Sequence, residues 1–311
     1  MAHKRVVLSL LTMLALALSS CSTGQKTLFW VDMNGSETLI QAPPGDYLYP
    51  SISPDGTKVA MSQRGPDRNI FVLDLAQGTT ESLTNSFNMV NDNPIWSPNG
   101  EQIAYVLGSL TYIGIGEDSA NIMLENVQGA GKQVIFTGKQ GKWIYPFSWS
   151  KDGSVILTSE VGSKVNNFDI GIIMLGERPR HALLMRERYH EIQPQLSPDG
   201  RWLAYCTNES GKVQVYVSPF PDVNKGKWQV SSEGGNSPRW SPDGKELYYL
   251  KGLYSIEAVM AVEVKTEPTF SAGKPKVLFS GGKYFGPMTS NGIPYDIHPD
   301  GHRFLMMKQC E

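Results

Sequence analysis

Pro238-Arg239-Trp240-Ser241-Pro242-Asp243-Gly244-Lys245-Glu246-Leu247-Tyr248-Tyr249 carries a pattern that recurs along the whole chain. Its centre, Ser241-Pro242-Asp243-Gly244, returns as Ser53-Pro54-Asp55-Gly56, Ser97-Pro98-Asn99-Gly100, Ser150-Lys151-Asp152-Gly153, Ser197-Pro198-Asp199-Gly200 and His298-Pro299-Asp300-Gly301. Successive glycines lie 44, 53, 47, 44 and 57 residues apart. A repeat of that period marks a propeller or array in which each copy is one supersecondary unit. The tetrapeptide is a hairpin turn. Proline fixes φ at position i+1 of a type I turn, Asp or Asn tolerates i+2, and Gly supplies the positive φ that follows. The serine hydroxyl is expected to accept a backbone N–H across the turn.

The flanks predict the blade. A short apolar strand follows each turn, as in Val59-Ala60-Met61, Leu203-Ala204-Tyr205 and Phe304-Leu305-Met306. One place before the turn stand Ile52, Trp96, Trp149, Leu196, Trp240 and Ile297, all large and apolar. Two places before stand Ser51, Ile95, Ser148, Gln195, Arg239 and Asp296, polar except for Ile95. Strand side chains alternate faces, so the apolar set is expected to pack between blades and the polar set to face a central channel. Pro50, Pro94, Pro146, Pro194, Pro238 and Pro294 precede these strands, as befits a residue that cannot donate to a ladder. In blades 3 and 6 the proline sits one residue further from the turn, and a bulge is expected there. Outer strands such as Asn69-Ile70-Phe71-Val72-Leu73-Asp74 complete a four-stranded blade.

The last copy has only two strands, and residues 27–31 and 38–40 form two strands with no turn motif ahead of them. Joining them makes a sixth blade and removes exposed sheet edges. The predicted fold class is all-β, a six-bladed β-propeller over residues 27–311 closed by N-terminal strands that complete the last blade.

The first 20 residues have the form of a signal peptide. Basic Lys4 and Arg5 precede an apolar run from Val6 to Leu18, shorter than the roughly 20 residues a membrane span needs. Leu18-Ser19-Ser20-Cys21 resembles the lipobox of bacterial lipoproteins, which implies cleavage before Cys21 and lipidation of its sulfur. An ordinary secretory signal that ends near a cysteine is the alternative. Ser22 resembles the residue that sends lipoproteins on to the outer membrane of a diderm host. Residues 21–26 would be a short tether of at most roughly 18 Å, attaching the chain to its membrane. Without Lys4 and Arg5 the count is 26 basic to 30 acidic residues, so no basic excess points to nucleic acid. Of the other two cysteines, Cys206 reads as a buried thiol within a strand, although a disulfide to Cys310 is open.

The repeats resemble those of TolB-like propellers across essentially the whole mature chain. The second half is similar to propellers fused behind bacterial serine/threonine protein kinases, on Asn208-Glu209-Ser210-Gly211, Val215-Tyr216-Val217-Ser218-Pro219-Phe220-Pro221, Lys227-Trp228-Gln229-Val230-Ser231 and Phe270-Ser271-Ala272-Gly273-Lys274-Pro275. The kinase itself is absent: there is no glycine-rich loop and no His-Arg-Asp catalytic loop. The resemblance implies a sensing or protein-binding propeller. Residues 253–260 are longer and more apolar than that pattern allows, so an altered outer hairpin is expected in blade 5.

Catalytic signatures are missing from the sequence. There is no Gly-x-Ser-x-Gly elbow and no metal-type Cys or His spacing, and no cofactor is expected. Asp55, Asp152, Asp199, Asp243 and Asp300, with Asn99, are read as turn formers beside Gly56, Gly100, Gly153, Gly200, Gly244 and Gly301, not as cation ligands. The candidate channel set is Gln195, Arg239 and Asp296, either a structural ion pair or a polar ligand clamp. The candidate partner surface is a ring at the strand-start mouth, comprising Tyr49, Asp92, Asn93, Tyr145, Arg188, Tyr189, His190 and Glu191. His190 alone there suits proton transfer near neutral pH, and without a placed partner it makes no catalyst. The expected function is a non-catalytic cell-envelope lipoprotein, facing the periplasm, that binds a protein or peptide. A small-ligand sensor or carrier using the channel, and a propeller-type hydrolase or lyase, are the alternatives.

Overall fold

The computed structural model describes residues 24–65, 67–109, 120–128, 131–139, 141–162, 165–252, 255–286 and 291–310. The signal segment and Cys21 lie outside them. Six antiparallel sheets follow one another around an axis. Blade 1 runs outward through Tyr47–Ile52, Lys58–Gln63, Asn69–Asp74 and Thr79–Ser82. Blade 2 comprises Met89–Trp96, Gln102–Ser109, Asn121–Asn126 and Gln133–Thr137, and blade 3 comprises Lys142–Trp149, Val155–Gly162, Val165–Met174 and Arg180–Met185. Blade 4 comprises Glu191–Leu196, Trp202–Thr207, Gln214–Pro219 and Trp228–Gln229. Blade 5 begins with Asn236–Trp240, Glu246–Lys251 and Ala258–Lys265; its third strand then pairs with both Ser271–Ala272 and Lys276–Ser280, an alteration that lies after the third strand and not in residues 253–260, from which the sequence predicts an altered hairpin.

Blade 6 is built from both termini. Asp296–Ile297 and Arg303–Gln309 form its inner half, and Lys26–Asp32 and Glu37–Leu39 its outer half. The closing pair runs from Lys26 opposite Gln309 to Asp32 opposite Arg303. Two charge clusters clip it. Lys26, buried, pairs with Asp46 and lies 4.2 Å from the Phe285 ring centre. Burial opposes the ionisation of Glu37, but Lys283, Lys308 and the Tyr284 hydroxyl hold its carboxyl down to about 2.

Each turn motif folds as its chemistry dictates. Ser53 Oγ donates to Asp55 Oδ1 at 2.6 Å and accepts the Lys58 N–H at 2.9 Å. The same pair of bonds recurs at Ser97, Ser150, Ser197 and Ser241. The six glycines have φ between 71° and 76°, which a side chain would strain. The Ser hydroxyl, then a backbone N–H, lowers the carboxyl pKa of Asp55, Asp152 and Asp243. These carboxylates are committed to their own turns.

The core lies in the seams between blades. Ala60, Ile70 and Val72 of blade 1 pack with Trp96, Ile103, Tyr105 and Met123 of blade 2. Leu157 and Ile170 of blade 3 pack with Leu203, Tyr205 and Tyr216 of blade 4. Each fully buried aliphatic side chain contributes roughly 1.5–3 kcal/mol, and the alternation along the strands places two such faces on every blade. Cys206, in the seam of blades 4 and 5, is a free thiol whose pKa burial pushes up, so it does not pair with Cys310.

The expected bulges prove more widespread. The register breaks in the inner strands of blades 1 to 5, not in blade 3 alone, whereas the two-residue inner strand of blade 6 carries none. In blades 1, 2, 4 and 5 the residue before the proline takes a left-handed φ: Tyr49 50°, Asn93 55°, Gln193 57° and Ser237 55°. A following proline disfavours the right-handed helical region and removes a donor from the ladder. The strand turns at that point and aims these four side chains toward the axis.

Candidate functional site: the axial cup and its plug

The two ends of the axis differ. At the turn face the inner strands surround an open cup of about 310 Å³. Its wall includes Ile52, Trp96, Trp149, Leu196, Trp240 and Ile297 with Pro54, Pro98, Pro198 and Pro242; Ser51, Ser148, Gln195, Arg239 and Asp296 supply polar groups. A wider groove of about 800 Å³ lies between the outer parts of blades 1 and 2. It is lined by strand-edge polar residues such as Asp74, Glu81 and Glu101, as expected where two sheets diverge from an axis.

The polar residues of the cup link each blade to the next. Asp296 accepts the N–H groups of Ile52, at 2.8 Å, and Ile297, at 2.9 Å. Trp96 Nε1 donates to Ser51 O at 2.8 Å, and Asn93 Nδ2 donates to Pro146 O. Leu196 N donates to Ser148 Oγ at 3.1 Å, and Gln195 Nε2 to Phe147 O at 2.9 Å. Arg239 donates to Gln195 Oε1 at 3.0 Å and lies 3.5 Å from Asp296 Oδ1. Gln195, Arg239 and Asp296 are thus brought together, and they form a clasp across blades 4, 5, 6 and 1. Arg239 Nε makes no well-aligned hydrogen bond, and it is the atom that faces Asp296 Oδ1 in this ion pair.

The strand-start end is filled instead. Gly292, on the connection from blade 5 to blade 6, lies against the ring of Tyr49 in blade 1, and its carbonyl accepts Gln193 Nε2 of blade 4 at 3.1 Å. Blades 1 and 4 face each other across the ring, so this connection crosses the axis. Tyr295 OH donates to Ser237 O at 3.0 Å, and Ser237 N donates to Gln193 Oε1 at 2.8 Å. Among the described residues, this connection and its hydrogen bonds occupy the strand-start end of the axis.

This plug changes the reading of the strand-start residues. Tyr49, Asp92, Asn93 and Tyr145 come together, as the sequence predicts, but they are buried beneath the surface. Asp92 pairs with Arg68, and burial, reinforced by Asp92 and Tyr49, pushes the Tyr145 phenol up. Arg188, Tyr189 and His190 remain at the surface on the connection into blade 4. That loop is pinned: Asn167 Nδ2 donates to Arg188 O at 2.9 Å, and His190 N donates to Asn208 Oδ1 at 2.9 Å. His190 Nδ1 accepts the Phe168 N–H at 3.4 Å, a structural role. Glu191 is buried, and burial followed by the charges of Asp169 and Glu187 pushes its carboxyl up to about 7, against the N–H it accepts from Glu187. Sequence reasoning missed Gly292 and Gln193 because nothing local marks a residue that crosses the axis. It also missed Lys151 as a cup residue, although its replacement of proline in one of six copies was a visible signal.

The fold is that of a TolB-like six-bladed propeller. The chain is 19% identical to a structure assigned to TolB of Agrobacterium tumefaciens, with a TM-score of 0.71 over 93% of this chain and 99% of that one. Among curated proteins it is similar to the Tol-Pal system protein TolB of Francisella tularensis subsp. holarctica, 24% identical over 216 residues, which is 68% of this chain. The chain spans about half, 47%, of that relative's length. An oligogalacturonate lyase in complex with manganese shares the fold at a TM-score of 0.59 and 13% identity, over 93% of this chain and 98% of that one. No family model matches the chain.

Proposed function

We propose that the chain is a non-catalytic cell-envelope lipoprotein, held in the membrane by a lipid on Cys21, whose propeller binds a protein or peptide partner at the turn-face cup. The observation that carries this reading is the cup itself: an open depression at the turn face whose wall combines large apolar side chains of the inner strands with polar groups from Ser51, Ser148, Gln195, Arg239 and Asp296, bounded by interlinked strands. The similarity to TolB, a protein named for the Tol-Pal system, supports a partner within the envelope. Lys26 and Gln309 pair at the strand-start end of blade 6, opposite the turn next to Arg303. A lipid at Cys21 would therefore hold that end toward the bilayer and turn the cup away from it, toward partners on the far side. The channel-facing set has one carboxylate, Asp296, and no histidine, which gives no acid–base pair for a lyase or hydrolase. The likeness to the lyase is one of fold, and fold alone does not transfer chemistry.

The test is photo-crosslinking in living cells from Pro98 on the cup wall, with Val134 on the outer strand of blade 2 as control. Lys151 shows that the motif's proline position accepts a side chain. A defined envelope protein captured from Pro98 and not from Val134 is the expected result. The same products from both positions, or none from Pro98, would overturn the reading. Cys21→Ser is expected to move the chain from the membrane to the soluble fraction. The second reading, a small anionic ligand, rests on the Arg239 guanidinium in the cup lining, which would exchange its pairing with Asp296 for the ligand. It predicts a saturable rise in melting temperature with that ligand that Arg239→Ala abolishes.

A further inference from the structure

Blade 3 breaks the symmetry of the cup. Elsewhere the turns abut: Gly100 lies within 3.7 Å of Pro54, Gly244 within 3.7 Å of Pro198, and Gly301 within 3.7 Å of Pro242, measured from the position a Cβ would take. Gly56 abuts His298 in the same way. Gly153 of the blade 3 turn and Gly200 of the blade 4 turn meet nothing within 4 Å. At Gly200 the sequence gives the cause, because Lys151 of the preceding turn stands where the other five copies have proline; the gap between Gly153 and Pro98 has no such cause in the motif. The indoles differ too. Trp96 and Trp240 are buried and give their N–H groups to the preceding blade, at 2.8 and 3.1 Å. Trp149 gives its N–H to Gly153 O of its own turn at 3.2 Å and stays half-exposed in the cup wall.

Blade 3 therefore places a partly exposed indole and an ammonium group in one wall of the cup. Lys151 is exposed and makes no ion pair among the described residues. The carboxylate within the cup, Asp296, is already engaged by two backbone N–H groups and Arg239. The lining thus carries an unanswered positive charge beside a partly exposed indole.

We infer that Trp149 and Lys151 form the recognition subsite of the cup, and that it takes a partner segment bearing a side-chain carboxylate next to an aromatic or large apolar residue. The inference rests on the partner-binding reading above. The indole covers the apolar side chain while the ammonium pairs with the carboxylate. Neither contact requires the propeller to rearrange, because the flanking turns already stand apart.

The experiment uses the detergent-solubilised full chain labelled with 5-fluorotryptophan, with the Trp149 fluorine signal assigned through Trp149→Phe. The probes are the capped dipeptides acetyl-Asp-Phe-amide and acetyl-Asn-Phe-amide, each at up to 20 mM. The expected result is a saturable shift of the Trp149 signal by the Asp peptide, roughly three- to fivefold tighter than by the Asn peptide, as one exposed ion pair allows. Lys151→Pro, which restores the motif of the other turns, should abolish that preference without lowering the melting temperature. Equal affinity for the two peptides, a preference that survives Lys151→Pro, or no shift at 20 mM would each overturn the inference. If the Pro98 crosslink nonetheless captures a partner, only this subsite fails; if the crosslink fails while the dipeptide preference holds, only the protein partner does.

Discussion

Gly292→Ala tests the axial plug directly. A Cβ at residue 292 would stand 2.1 Å from Tyr49 Cδ1 and 2.5 Å from its Cε1 and Cγ. Carbon atoms in contact rest at about 3.5–4 Å, so ring or backbone must give way by more than 1 Å. Neither moves freely. Tyr49 is 6% exposed, in a left-handed conformation with φ 50°, and Pro50 follows it. Gly292 is tied to Gln193 through its carbonyl. Its own φ lies outside the left-handed region, so the cost of alanine is one of space, not of backbone strain. Overpacking of this kind costs about 1–3 kcal/mol, and the rigid surroundings place it toward the upper value. For a chain of this size that is a fall in melting temperature of roughly 3–5 °C. Thermal and urea unfolding of the wild type, Gly292→Ala, Tyr49→Leu and the double variant would close a thermodynamic cycle. Removing the ring should relieve the clash, leaving the double variant about 1–2 kcal/mol more stable than the summed single effects. Additive effects, or a Gly292→Ala protein that unfolds like the wild type, would refute the claim that this connection fills the axis.

Three further outcomes follow from the geometry. Asp296→Ala should cost about 2–4 kcal/mol in urea unfolding, because it leaves Arg239 without its carboxylate and removes the acceptor of the Ile52 N–H. Trp96→Phe should destabilise by about 1 kcal/mol through the loss of its bond to Ser51 O, whereas Trp149→Phe, whose indole bonds only its own turn, should change stability by less than half of that. Glu191 has a folded carboxyl near 7 against an ordinary 4.5, so folding favours its protonated form. Its contribution is complete below about pH 4.5 and is lost as pH rises through 7, by about 1–3 kcal/mol. Glu191→Gln should remove that part of the decline, seen as a smaller fall in melting temperature between pH 5 and pH 8 than the wild type shows.

The sequence alone determined the repeat, the turn and the closure. Those features were legible because they rest on local chemistry: Ser53, Asp55 and Gly56 interact within one tetrapeptide, and the alternation of Gln195 and Leu196 assigns their faces wherever the blade sits. The pairing of Lys26–Asp32 with Arg303–Gln309 followed from counting strands, since a propeller leaves no edge open. Tertiary structure decided which end of the axis is open. Tyr49, Asp92, Asn93 and Tyr145 have the composition of a binding mouth, and only the passage of Gly292 between blades 1 and 4 shows that they lie inside a plug. Arg239 and Asp296 are 57 residues apart, and whether they meet depends on ring closure, which no window of sequence contains. The same holds for Lys151. Its departure from the motif is visible in the chain, but the space it opens between turns exists only once the neighbouring blades are in place.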